Sequence, residues 1–200
     1  MTERLGNRSA NTLPGQAPSY TLRAGWDLQR LKFALRAVEQ GWSPSCENRP
    51  AEEGEWGVLK VGCVNGAEFD PAENKALPPD LEPVPSLEVK PGDILMSRAN
   101  TRELPGSAVL VKQTPSRLLL CDKLYRLKIN PAVVDPSFFV LALSSRVARD
   151  QLERDATGAS SSMQNIAQSV VRELVLPLPP LEEQCRGNPG RPAHASAGTA

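Results

Sequence analysis

The sequence predicts an α+β domain built from short strands, a few helices and long loops. Three observations carry this. Nineteen prolines are spread over 200 residues, and proline fixes φ and removes a backbone donor, which favours turns over long helices. Short β-prone runs such as Ile94–Ser97 are bounded by turn formers such as Pro91-Gly92-Asp93. Asp135-Pro136 has the form of a helix start, Asp as N-cap and Pro at the first helical position. With 40% hydrophobic residues the chain can fill a core.

The elements follow in order. Residues 1–24 are expected as a flexible leader, because the stretch up to residue 20 is polar and without periodicity. From Trp26 to Gln40, Leu28, Leu31, Leu35 and Val38 fall at helical spacing, with Gly41 as a stop. Leu31-Lys32-Phe33 equally suits the opening of a strand, and both readings stand. Residues 42–57 are a loop rich in turn formers. Val58 to Val64 is β-prone and ends at Asn65-Gly66, a strong turn pair. Residues 70–86 hold five prolines and many acids and read as an exposed excursion. Strands are expected at Ile94–Ser97, Ala108–Lys112 and Leu118–Lys128, the last broken at Asn130-Pro131. A helix should run from about Ser137 to Asp155, with Phe139, Leu143 and Val147 on one face and Gly158 beyond its end. Val170 to Leu178 is the last expected strand, ended by Pro179-Pro180. Glu182-Glu183-Gln184 looks like the first turn of a new helix, with acids where the macrodipole favours them. Residues 185–200 lack an apolar period and are expected as a disordered tail, which leaves 25–184 as the domain.

Composition excludes several classes of function. Net charge is zero, so no bulk field draws in a polyanion. Residues 47–88 carry ten acids and three bases, whereas residues 89–154 carry eleven bases and six acids; charge alone favours ordinary solvated surfaces. Cys46, Cys63, Cys121 and Cys185 form no CxxC half-site, and the one histidine, His194, sits in the Gly/Pro/Ala-rich tail. Neither a zinc site nor a Cys–His pair is expected. Ser160 to Ser162 lack a GxSxG context, and no Gly-rich phosphate loop or paired-carboxylate motif is present. No catalytic residue, cofactor or metal is therefore expected. With no apolar signal core and no run near the ~20 apolar residues of a membrane span, a cytoplasmic protein with free thiols is expected.

Two polar segments carry chemistry suited to nucleic acid. Ser97-Arg98-Ala99-Asn100-Thr101-Arg102 sets two guanidiniums, an amide and two hydroxyls just past a buried-type strand. Arg pairs bidentately with guanine and Asn with adenine in the major groove, and both types hold phosphates. The competing reading is a turn in which Asn caps its own backbone and the Arg side chains meet acids. Thr157-Gly158-Ala159-Ser160-Ser161-Ser162 reads as a small-residue loop whose N–H groups and hydroxyls suit a sugar–phosphate backbone. Gln164 and Asn165 add amides able to read adenine. Against this, Gly158 can simply end the helix while the serines connect, which explains the glycine but not the amide pair.

Five pieces, in order, carry a family resemblance over roughly Gly41 to Gln184. They are Gly41-Trp42-Ser43-Pro44; Pro91-Gly92-Asp93-Ile94-Leu95-Met96-Ser97-Arg98-Ala99-Asn100; Glu103-Leu104-Pro105-Gly106; Cys121-Asp122-Lys123-Leu124-Tyr125-Arg126-Leu127; and Gly158 to Gln184, GASSSMQNIAQSVVRELVLPLPPLEEQ. Together they resemble a target-recognition domain of the DNA-specificity subunits of type I restriction–modification systems, with Pro105 where the family usually has Val. The resemblance implies a twisted, mostly antiparallel sheet with a few helices and long loops. It implies a non-catalytic subunit that binds double-stranded DNA through Arg98, Asn100, Thr101, Arg102, Lys123, Ser160, Ser161, Ser162, Gln164 and Asn165. It implies methyltransferase and restriction subunits as partners, and a second copy or a second recognition domain. The family joins two such domains by long helices, and the run after Gln184 is expected not to continue as one, given Gly187, Pro189, Gly190 and Pro192. Two alternatives stand beside this reading: a folded fragment of a decayed gene, and the recognition domain of a fused methyltransferase or nuclease.

Overall fold

The structure, a computed structural model, describes residues 22–100, 106–160 and 163–186, with the backbone alone at 158–160 and 163. Chain order runs β1 (Asp27–Arg30), β2 (Leu35–Gln40), β3 (Gly57–Leu59), β4 (Asn74–Ala76), β5 (Ile94–Ser97), β6 (Ala99–Asn100), β7 (Ala108–Leu110), β8 (Leu118–Leu119) and β9 (Leu124–Ile129). It continues through α1 (Pro136–Leu143), α2 (Arg146–Asp155), β10 (Thr157–Ser160), β11 (Met163–Asn165), α3 (Gln168–Glu173), β12 (Val175–Leu178) and α4 (Leu181–Cys185).

The organising element is a four-stranded antiparallel sheet in the order β2-β9-β5-β7. Side chains alternate across a strand, and here both faces are covered. Ile94, Met96, Tyr125 and Leu127 point into a core closed by Phe139, Leu143, Leu152 and Val171 of α1, α2 and α3. Leu95, Leu124 and Val109 point the other way, into a second core with Val58, Leu59, Cys63, Val64 and Leu119. That second core lies under a small sheet, β4-β3-β8, whose β3–β8 pair is parallel. Every other strand pair among the described residues is antiparallel. The fold is α+β, as the sequence predicts.

Several local expectations give way to long-range pairing. Trp26–Gln40 contains no α-helix. Asp27–Arg30 pairs with Val175–Leu178, and Leu35–Gln40 pairs with β9. Leu31–Phe33 is one 3-10 turn rather than the start of a strand, and its Leu31 N–H donates to Leu174 O at 2.8 Å. The buried Leu31, Leu35 and Val38 fit the helical spacing, but the hydrogen bonds come from strands some ninety or more residues away, which a local pattern does not contain. In Val58–Val64 only the start is strand; Val61–Val64 is a 3-10 turn. The Leu118–Lys128 run is two strands, β8 and β9, split by a turn. The helix expected over 137–155 is two helices, because Ser145 caps the second by accepting from Ala148 N–H. Asp135 caps the first as expected, accepting from Ser137 and Phe138 N–H at 3.0 and 3.1 Å. Val170–Glu173 belongs to α3, so the last strand begins only at Val175. Thr157–Ser160 is strand rather than loop.

Buried polar groups are matched across large sequence separations, as burial demands. Gln184 accepts from Asp135 N–H at 2.9 Å and donates to Pro179 O and Val133 O at 2.9 and 3.2 Å, which ties α4 to the start of α1. Gln151 donates to Val175 O and accepts from Val175 N–H, at 2.8 and 2.9 Å, acting as a one-residue strand beside β12. Arg126 lies in the sheet and spends its guanidinium on Glu39, Glu88 O and Ser86 O at 2.6, 3.0 and 2.7 Å. Asp93, buried beside it, takes Lys128 at 2.8 Å.

Two expected outcomes follow from this packing. Gln184→Leu leaves a buried donor and two carbonyls without their partner, at a cost of about 1–3 kcal/mol; the urea midpoint should fall with no change in slope, and an unchanged midpoint would refute the tie. Burial raises the Cys121 thiol to about 11, and burial together with the neighbouring Cys121, Glu73 and Asp70 raises Cys63 further above the ordinary 9.0. A raised thiol is protonated in the fold and ionises first in the unfolded chain, so stability is full below about pH 9 and falls as pH rises past it. In native protein at pH 8 a thiol reagent should therefore leave Cys63 and Cys121 unmodified, and mass spectrometry of the labelled protein checks this.

Candidate nucleic-acid interface

Past Ser97 the central strand stops pairing within the main sheet and its backbone meets two distant segments. Arg98 N–H donates to Lys123 O at 2.8 Å, and Ile166 N–H donates to Arg98 O at 2.8 Å. From there β6 pairs antiparallel with β11, with Asn100 opposite Gln164 and Ala99 opposite Asn165. Strand β11 turns back on β10, completing a small sheet in the order β10-β11-β6. Three segments separated by twenty to sixty residues thus converge at one end of the central sheet: residues 98–100, the turn before β9, and the 157–165 hairpin.

Gly106 and Ser107 lie beside the end of β5. Gly106 N–H donates to Ser97 O at 3.0 Å and Ser97 N–H to Ser107 O at 2.8 Å. This position needs glycine: φ of Gly106 is +81°, and a β-carbon there would fall 2.5 Å from Leu152 Cδ1. This is the glycine of the Glu103-Leu104-Pro105-Gly106 motif.

The expected contact residues differ in what their side chains do. Lys123 is exposed at the turn. Arg98 is half-buried and donates from Nη1 to Asp122 O at 3.2 Å. It also lies beside Tyr125, whose hydroxyl donates to Ile166 O at 2.9 Å; burial raises that phenol, and the guanidinium partly offsets the rise. Next to Arg98, Asp122 Oδ1 is buried and has no hydrogen-bond partner among the described residues. Gln164 and Asn165 are both half-buried, and strand alternation turns them to opposite faces, so only Gln164 shares a face with Asn100. Asn100 itself is 7% exposed, and its Nδ2 donates to Asn65 Oδ1 at 2.8 Å. Ser160 is placed by its backbone in β10, opposite Met163. Thr101, Arg102, Ser161 and Ser162 lie outside the described residues.

Asn65 is the residue that sequence reasoning missed at this end of the molecule. Asn65-Gly66 signalled a turn, but nothing local shows that the turn reaches a strand 35 residues further on. Among the described residues no group of three or more His, Cys, Asp or Glu is placed to hold a metal ion. No described helix is long and apolar enough to cross a membrane.

No family model matches the chain. Over 168 residues it is 34% identical to the type I restriction enzyme EcoEI specificity subunit of Escherichia coli, a match that covers 84% of this chain and 28% of that protein. Most of this chain is thus similar to part of a type I restriction specificity subunit. A second relative, the putative type I restriction enzyme MjaX specificity subunit of Methanocaldococcus jannaschii, is 23% identical over 161 residues, 80% of this chain and 37% of that one. Solved specificity subunits share the fold. That of M. genitalium aligns with TM-score 0.51 at 16% identity, covering 82% of this chain and 37% of its own. The HsdS subunit of Thermoanaerobacter tengcongensis aligns with TM-score 0.51 at 21% identity, covering 85% and 37%. A chain solved in work on complex assembly and conformational transition of the type I R-M system reaches 0.56 at 20%, covering 86% and 38%. The chain thus spans between 28% and 37% of the length of the two specificity subunits it matches in sequence.

Gly106→Ala tests the geometry of this end of the sheet. The left-handed backbone and the contact with Leu152 should together cost about 1–3 kcal/mol, read as a lower denaturation midpoint; a neutral substitution would show that this position does not need its glycine.

Proposed function

We propose that residues 25–184 are a DNA target-recognition domain that reads one half-site of a duplex within a type I restriction–modification complex. The observation that carries this is the convergence of Arg98, Lys123 and Gln164 from three segments onto one end of a sheet buried on both faces. Arg and Gln are groove-reading side chains and Lys is a phosphate holder. The specificity-subunit relatives support the same role. The chain does no chemistry; methylation and cleavage belong to methyltransferase and restriction subunits that it directs, together with a second copy or a second recognition domain. A decayed-gene fragment would share the fold and bind no defined sequence. A domain fused to a methyltransferase or nuclease would read DNA in the same way but bring its own catalytic unit.

The net charge of zero means that counterion release supplies only modest affinity, so binding should be weak and strongly dependent on base contacts. Selection of a random duplex library on the purified chain should enrich one short motif. Gln164→Ala should then relax preference at one position of that motif, at about 1–3 kcal/mol. Lys123→Ala should weaken all duplexes alike and flatten the salt dependence by about one phosphate's worth, ~0.9 in the log–log slope. A library that emerges unenriched would sink the proposal.

A further inference from the structure

Resting on that reading, we infer that Asn65 is a DNA-contacting side chain and that Asn100 is the residue that positions it. Asn100 is 7% exposed and sits in a strand, opposite Gln164, where its amide is poorly placed to enter a groove. Asn65 is exposed at a turn tip, followed by the exposed Gly66, Ala67 and Glu68. The base of that tip is firm. Cys63 and Val64 are wholly buried at 0% exposure, Asn65 N–H donates to Gly62 O at 3.0 Å, and Asp70 N–H closes on Cys63 O at 3.0 Å.

The hydrogen bond between the two amides sets their roles. A carboxamide has one acceptor oxygen and one nitrogen with two donors. Asn65 commits its oxygen to Asn100 Nδ2 at 2.8 Å, so the end it offers outward is the NH2. A pair of N–H donors at a fixed height beside the β6–β11 strands seeks acceptors, and duplex DNA presents two kinds: base-edge atoms such as guanine O6 and N7 or thymine O4, and phosphate oxygens. Holding the amide in one rotamer before binding removes part of the ordering cost of the contact. The 65–68 tip thereby becomes a fourth segment of the recognition end, supplied by the lobe of the second core.

The test uses the full chain and the duplex enriched from the random library. Asn65→Ala should weaken binding about two- to tenfold, the size of one net hydrogen bond; because the buried Asn100 amide loses a partner the melting temperature falls as well, so binding is measured well below it, where the chain is folded. Asn65→Asp keeps the oxygen that Asn100 donates to but replaces the donors with a carboxylate, so it should fold normally and bind more weakly than Asn65→Ala. Asn100→Ala should lose a similar factor, and the double variant should be no worse than either single one, the mark of a coupled pair. A changed base preference at one position assigns the contact to a base edge, and a uniform loss assigns it to a phosphate. If the parent chain enriches a motif and both Asn65 variants bind like the parent, this inference falls while the domain reading survives. If the parent enriches nothing, both fall.

Discussion

Strand β5 is the constraint on which the rest depends. All four of its residues are buried, Ile94 and Met96 toward the helices and Leu95 toward the small sheet. A slip of one residue would exchange these faces and expose Leu95's partners to the wrong core, so the register is strongly specified. Ser97, wholly buried, then passes that fixed register directly to Arg98 and Asn100. The polar end of the molecule is aimed by a strand that cannot shift without unpacking two cores.

The second consequence of burying both faces is that the backbone must be satisfied without water. The chain does this with long polar side chains as well as with strands. Gln151 completes Val175, Gln184 completes Asp135 and Arg126 completes Ser86 and Glu88. Each links segments far apart in sequence. In the LPLPPLEEQ motif the final glutamine is therefore structural: it locks the short α4 against the capped start of α1. Trp26 reinforces the same corner, stacking edge-on against Phe138 at 6.3 Å and donating to Glu183.

At the polar end of the sheet the amides part company. Gln164 and Asn165, adjacent in sequence, face opposite ways because they lie in a strand. Asn100, named by its motif, is buried and holds Asn65, which no motif named. Sequence alone separates neither pair, since residue type tells what a side chain can bond to and only placement tells what it does bond to.

Short-range chemistry was legible in the sequence where it is local. The Asp135-Pro136 helix start, the Ile94–Ser97 strand and the helical turn at Glu182-Glu183-Gln184 appear as expected, because caps and buried strands are decided by a few neighbouring residues. The ordered motifs likewise made the family recognisable before any geometry. Tertiary structure alone decided that Asp27–Arg30 and Leu35–Gln40 are strands, because their hydrogen bonds come from β12 and β9. It alone decided that residues 98–100, 123 and 163–165 share one end of the sheet, because antiparallel pairing across sixty residues leaves no periodic trace in either segment.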